Sequence, residues 1–177
     1  CLGILAELYK NNGLYNKSEK LLNEVLISQK DLLGVDHIDT LGTTINLGEL
    51  YNNTGDFTQA ENLLKSTSEI CKKKLGENHN YTLMAMHNLA VAFDNLDKPE
   101  KAEIINSKIL EVRKKMLGLE NTDTITSMNN LAMNYLAMED YKKAEPLLRE
   151  VLELNENLLG FEHPNTLSSI NNLSVLL

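Results

Sequence analysis

The feature that most restricts this chain is that it repeats itself every 42 residues. Leu33-Gly34, Leu75-Gly76, Leu117-Gly118 and Leu159-Gly160 fall at that spacing, and so do Thr40, Thr82, Thr124 and Thr166. Ala60, Ala102 and Ala144 keep the same register, with small Ser18 in the first copy. Aromatic side chains follow as Tyr9, Tyr51, Phe93 and Tyr135, then as Tyr15, Phe57 and Tyr141, with Pro99 in the third copy's place. One such unit cannot bury its own apolar face, so each must stack on the next and the chain must build an array. The 177 residues divide into repeats at approximately 1–40, 41–82, 83–124 and 125–166, with a partial repeat at 167–177, as a single solenoid over 1–177.

Each unit reads as two helices. The four threonines precede apolar-periodic runs and are expected to cap them, because a Thr oxygen accepts an orphan backbone N–H. The first helix of the second copy then runs from Leu41 to Asn53, and Asn53-Thr54-Gly55-Asp56 is a turn signal. The second helix begins near Phe57 and passes Ile70, with Ala60, Leu63, Leu64, Thr67 and Ile70 at spacings of three and four. Gly76 is expected to end it in left-handed geometry. Pro99 falls in a first turn, where a missing N–H costs nothing. Pro146 falls inside a helix and should remove a hydrogen bond or bend it mildly, while Leu147, Leu148, Val151, Leu154 and Leu158 carry the apolar stripe onward.

The motif Thr44-x-x-Leu47-Gly48-x-x-Tyr51 followed by Ala60-x-x-x-Leu64 resembles the tetratricopeptide signature. The other copies are Leu2-x-x-Leu5-Ala6-x-x-Tyr9 with Ser18-x-x-x-Leu22, Met86-x-x-Leu89-Ala90-x-x-Phe93 with Ala102-x-x-x-Asn106, and Met128-x-x-Leu131-Ala132-x-x-Tyr135 with Ala144-x-x-x-Leu148. The common repeat is about 34 residues; this longer unit, with its Leu-Gly-x-x-His-x-x-Thr connection, is similar to the kinesin-light-chain type. The resemblance implies an all-α fold, a right-handed superhelical solenoid of antiparallel helix pairs. It also implies a scaffold that binds a protein or an extended peptide, and not an enzyme. On this reading the small residues Gly48, Ala90 and Ala132 let the paired helix approach closely.

Composition works mainly by exclusion. With 25 acidic and 17 basic residues the net charge is −8, which argues against general nucleic-acid binding, where basic residues must displace counterions from phosphates. No stretch approaches the roughly 18 apolar residues that cross a bilayer, so no membrane partner is expected, and no signal peptide opens the chain. The chain starts at Cys1 without an initiating Met and stops inside a first helix at Leu173-Ser174-Val175-Leu176-Leu177. It therefore reads as a segment with open, apolar repeat ends, its final helix packing on the helix from Tyr141 to Leu158.

Cys1 and Cys71 make neither a disulfide framework nor a metal quartet and fit a reducing compartment, so a cytoplasmic location is expected. His37, His79 and His163, with Asn121 in the remaining copy, occupy equivalent loop positions. Neighbouring repeats are separated by at least a helix-packing distance of about 8–10 Å, too far to share an ion whose ligands sit at about 2.1 Å. These side chains are instead expected to bond loop backbone. No cofactor is implied: there is no Ser-His-Asp order, phosphate-cradling glycine loop or Cys-His cluster. Glu61/Lys65 and Glu111/Lys115 are i,i+4 pairs on solvated faces, and Lys72-Lys73-Lys74 and Arg113-Lys114-Lys115 read as partners of helix C-termini.

On a helical wheel Leu41, Thr44, Leu47, Gly48 and Tyr51 share a packing side, and Gly42, Asn46, Glu49 and Asn53 lie opposite. The third copy places Met84, Asn88, Val91 and Asn95 there, the fourth Thr126, Asn130, Met133 and Ala137, and the last helix Ser168, Asn172 and Val175. In tetratricopeptide superhelices this helix lines the concave groove, so the resemblance implies that these residues face a ligand. Amides both donate and accept, and interleaved with Val and Met they suit an extended peptide. Of the Lys and Arg residues only Lys10 lies on a first helix. The carboxylate clamp of chaperone-binding tetratricopeptide domains and the basic groove used for acidic cargo therefore have no counterpart. The alternatives are an architectural solenoid that self-associates through open repeat ends, or a regulatory segment of a larger multidomain protein.

Overall fold

The computed structural model describes residues 2–176, and every regular element among them is a helix. In chain order these are α1 (Leu2–Asn11), α2 (Tyr15–Leu33), α3 (Ile38–Thr54), α4 (Phe57–Leu75), α5 (Asn80–Asn95), α6 (Pro99–Leu117), α7 (Thr122–Ala137), α8 (Tyr141–Leu159) and α9 (Pro164–Ser174). They form two compact units, Cys1–Asp97 with α1 to α5 and Lys98–Leu177 with α6 to α9. Within each unit consecutive helices pack on one another, and α3 also reaches α5. Odd-numbered helices are the first helices of the 42-residue unit and even-numbered ones the second.

The first helices start earlier than the threonines suggest, because the cap lies three residues upstream. Nδ1 of His37, His79 and His163 accepts the backbone N–H of Asp39, Tyr81 and Asn165 at 3.2, 3.1 and 3.2 Å, and Oδ1 of Asn121 accepts that of Asp123 at 2.9 Å. The imidazoles and the amide thus do the same backbone work, as their shared register implied. The threonines lie inside the first turn, fully buried. Thr82 and Thr166 donate from Oγ1 to the carbonyls of Gly76 and Gly160 at 2.7 and 2.8 Å, tying each first helix to the end of the helix before it. Losing an N-cap acceptor costs typically about 1 kcal/mol. His79→Ala should therefore lower unfolding free energy by about that amount in urea denaturation, whereas His79→Asn should retain it, since Asn121 already serves at the equivalent position. Equal losses in both variants would assign His79 a packing role through its edge contact with Tyr81, 5.6 Å between centroids.

The second helices end at glycine, with a difference. Gly76 has φ 91° and ψ 165°, the extended mirror region open essentially to glycine alone, and not the left-handed helical well. That well is used by Gly55 (φ 86°, ψ 5°) at the end of α3. Pro99 occupies the first turn of α6, and α8 runs unbroken through Pro146.

The core lies between repeats. In the first unit Ala6, Leu22, Leu26, Leu47 and Leu50 form one cluster and Leu41, Ile45, Cys71 and Ala85 another. In the second unit Ile125, Met128 and Val151 cluster, as do Ala132, Leu148 and Leu173, the last bringing α9 onto α8. Each cluster draws on successive helices, as stacking requires. Burial pushes the Cys71 thiol pKa up, so this side chain behaves as a small core hydrophobe. Gly48 faces Leu64 so closely that a Cβ there would lie 2.5 Å from Leu64 Cγ and Cδ2.

Candidate functional site

The first helices have little free surface. α3 packs on α2, α4 and α5 at once, so Leu41, Thr44, Ile45, Leu47, Gly48 and Leu50 are all buried and only a narrow strip remains. On that strip Asn46 and Glu49 are half-buried and Asn53 is exposed at the helix end. On α5, Met84 and Val91 are half-buried, Asn95 is exposed, and Asn88 is buried. In the second unit Asn130 on α7 and Asn172 on α9 are half-buried and Met133 is exposed.

Several of these groups already have partners. Lys10 donates from Nζ to Glu49 Oε1 at 2.6 Å, so the one basic side chain of the first helices is offset by a carboxylate beside it. Asn172 donates from Nδ2 to Asn129 Oδ1 at 2.9 Å, and Asn95 to the carbonyl of Val91 at 2.8 Å. Asn52, which the helical wheel does not single out, donates to the carbonyl of Asn88 at 2.8 Å and so links α3 to α5.

Two clefts have first-helix walls two repeats apart in the register. The first unit holds one of about 220 Å³, lined by Asp39, Gly42 and Asn46 of α3, Tyr81 and Met84 of α5, and Gln29 of α2. The second holds one of about 190 Å³, lined by Thr126 and Asn129 of α7, Asn155 of α8, and Asn165, Ser168 and Ser169 of α9. Gly42 and Met84 become Thr126 and Ser168 two repeats on. Of the residues expected on this face, Asn46 and Met84 converge on the first cleft with Gly42, and Thr126 with Ser168 on the second. The remaining expected residues do not line either cleft. Asp39 and Tyr81 in the first cleft, and Asn129, Asn155, Asn165 and Ser169 in the second, lie outside the expected set. Gly42 was the available signal for Tyr81, because a Cβ at Gly42 would meet the tyrosine Oη at 3.0 Å and ring carbons at 3.2 Å.

The second-helix position that Gln29 and Asn155 hold in these clefts changes its chemistry from copy to copy. It is Gln29, then Cys71 packed with Ala85, then Arg113, then Asn155. Arg113 donates to the carbonyl of Asp123 at 3.1 Å and to Ser127 Oγ at 2.9 Å, and Asn155 donates to Ser169 Oγ at 2.9 Å. The basic runs at the second-helix ends are also tied down. Lys72 pairs with Glu77 at 2.6 Å and Lys74 pairs with Asp36, whose carboxyl pKa it holds below the usual range. Among the described residues no group of three or more His, Cys, Asp or Glu is placed to hold a metal ion, and no helix is long and apolar enough to cross a membrane.

Antiparallel helix pairs at a fixed period, a small residue facing a leucine within the pair, and a capped first helix carrying the variable side chains define a tetratricopeptide repeat protein. Family models for the tetratricopeptide repeat match residues 2–73, 39–115 and 124–165, and the chain belongs to that family. The repeat is of the kinesin-light-chain-like kind. The nearly identical TPR-like repeats of a kinesin light chain from Podosopora anserina superpose with a TM-score of 0.89 at 27% identity, over 99% of this chain and 82% of that one. A second form of the same protein gives 0.88 at 27%, over 99% and 83%. BtubC (BKLC) from P. vanneervenii gives 0.86 at 25% identity, over 99% of this chain and 70% of that one. No curated protein matches the chain.

Proposed function

We propose that this chain is a binding scaffold, without catalysis of its own, that holds a protein segment or extended peptide against its first-helix face in a cytoplasmic setting. The observation that carries the reading is the convergence of side chains from consecutive first helices on one cleft per unit, Asn46 with Met84 and Thr126 with Ser168. Glu49, Asn53, Val91 and Asn95 continue the face in the first unit, and Asn130, Met133 and Asn172 in the second, whereas Asn88 is buried beneath it. Paired amide and hydroxyl groups can meet a peptide backbone whatever its side chains are.

Panning a random-peptide display library on the protein tests this. Each lost hydrogen bond costs roughly 0.5–1.5 kcal/mol, so the pair Asn46→Ala with Met84→Ala should weaken selected peptides about tenfold; Met84 also packs on the core cluster of Leu41 and Ile45, so affinity is compared well below the melting temperature of the pair. A library that yields no binder, or binders indifferent to both this pair and Thr126→Ala with Ser168→Ala, overturns the proposal. Self-association is the second reading, favoured by Leu2, Ile4 and Leu8 on α1, which are 54%, 65% and 52% exposed. Sedimentation distinguishes it: a mass that stays at 19.9 kDa across concentration excludes it.

A further inference from the structure

The two clefts share a register but differ in charge. We infer that the cleft of the first unit is a subsite for a guanidinium, that is, for an arginine side chain of the bound segment; this rests on the peptide-binding reading above and names the chemistry of one of its sites. Asp39, Gly42 and Asn46 follow one another at helical spacing on α3 and form one wall. Tyr81 and Met84 of α5 form the other. No Lys or Arg lines this cleft. Of the basic side chains on neighbouring elements, Lys30 borders a different cleft, with Tyr51 and Leu63, and Lys74 is paired with Asp36.

The Asp39 carboxylate is 64% exposed, and the charged-type group beside it is His37 Nδ1 at 3.7 Å. That nitrogen also accepts the Asp39 backbone N–H. Tyr81 lies against the α3 backbone at Gly42, where only the missing Cβ leaves it room. A planar guanidinium presents parallel N–H donors to a carboxylate, which the compact ammonium of lysine does less well. The Asn46 amide oxygen and the Tyr81 hydroxyl supply further acceptors. In the second unit the equivalent cleft is lined by Thr, Ser, Asn, Ile and Val alone, with Asn165 standing where Tyr81 stands in the first. Asp123, which stands in the register of Asp39, is not among the residues that line it, so this cleft serves as the comparison site.

The same display library is the probe. Peptides that depend on Asn46 and Met84 should carry arginine at one fixed position. Asp39→Asn should weaken those peptides about tenfold, and so should replacing that arginine by citrulline, its uncharged isostere. The two changes together should do little more than either alone, and the affinity should fall with added salt. The citrulline peptide leaves the protein untouched, so a folding defect cannot imitate the result. Peptides that need Asn46 and Met84 but show no fixed arginine, or that bind Asp39→Asn undiminished, overturn the guanidinium assignment and leave the peptide-binding proposal standing. A library without binders removes both.

Discussion

Replacing Asn134 by leucine should cost about 2–3 kcal/mol of stability, and replacing Asn106 by leucine as well should return part of it. Asn106 on α6 donates from Nδ2 to Asn134 Oδ1 on α7 at 2.7 Å, with the two residues only 3% and 1% exposed. Removing one amide strands the other away from water, and a buried polar group without a partner loses its full solvation. Removing both leaves an apolar contact that this array already uses, less the further interaction that Asn134 makes. In the repeat register Asn106 corresponds to Leu22 and Leu148, and Asn134 to Leu50 and Leu176. Leu22 and Leu50 share one core cluster, and Leu176 packs on the cluster that holds Leu148. Two leucines therefore fit this contact in two other copies. Urea denaturation of the single and double variants decides the matter. A double variant no more stable than Asn134→Leu would mean that the amides are held chiefly by other neighbours.

The 42-residue period made the helix pairs legible because every copy repeats the same punctuation, and a glycine or turn in one copy is checked by three others. It fixes spacing without fixing phase. His37 and Thr40 recur in equal register, and both residue types can accept an N-terminal N–H, so starting the helix at Leu41 was consistent with the pattern and three residues late. That displacement had a consequence for the site. A start at Leu41 or Leu83 leaves Asp39 and Tyr81 in the loop, whereas they stand in the first turns of α3 and α5 and line the cleft. The helical wheel failed for a second physical reason. It assumes one packing side, whereas α3 touches three helices and buries Ile45 and Leu50 as well as Leu41 and Leu47. Asn88 shows the same effect on α5: its position on the wheel is right for an open face, but it is buried. The amides that link helices, Asn52 and Asn129, sit at positions where single-helix periodicity carries no information about a neighbour.

Gly48→Ala should destabilise the wild-type protein and stabilise the Leu64→Ala variant. Leu64 is fully buried, and truncating such a leucine leaves a cavity worth about 2–5 kcal/mol. In the wild type a Cβ at position 48 would fall 2.5 Å from Leu64 Cγ, well inside van der Waals contact, and the branch point of a buried side chain cannot swing aside as a flexible end could. Overpacking of this kind costs about 1–3 kcal/mol, against a gain of roughly 1 kcal/mol from replacing a helical glycine by alanine. The net loss is therefore up to about 2 kcal/mol. With Leu64 shortened to alanine the clash disappears and the gain in helix propensity remains. The second unit shows that the close approach is a property of this pair and not of the repeat in general, since Ala132 stands with Leu148 at the corresponding positions. A double-mutant cycle measured by urea denaturation reads the coupling directly. If Gly48→Ala shifts stability equally in both backgrounds, glycine at position 48 serves something other than room for Leu64.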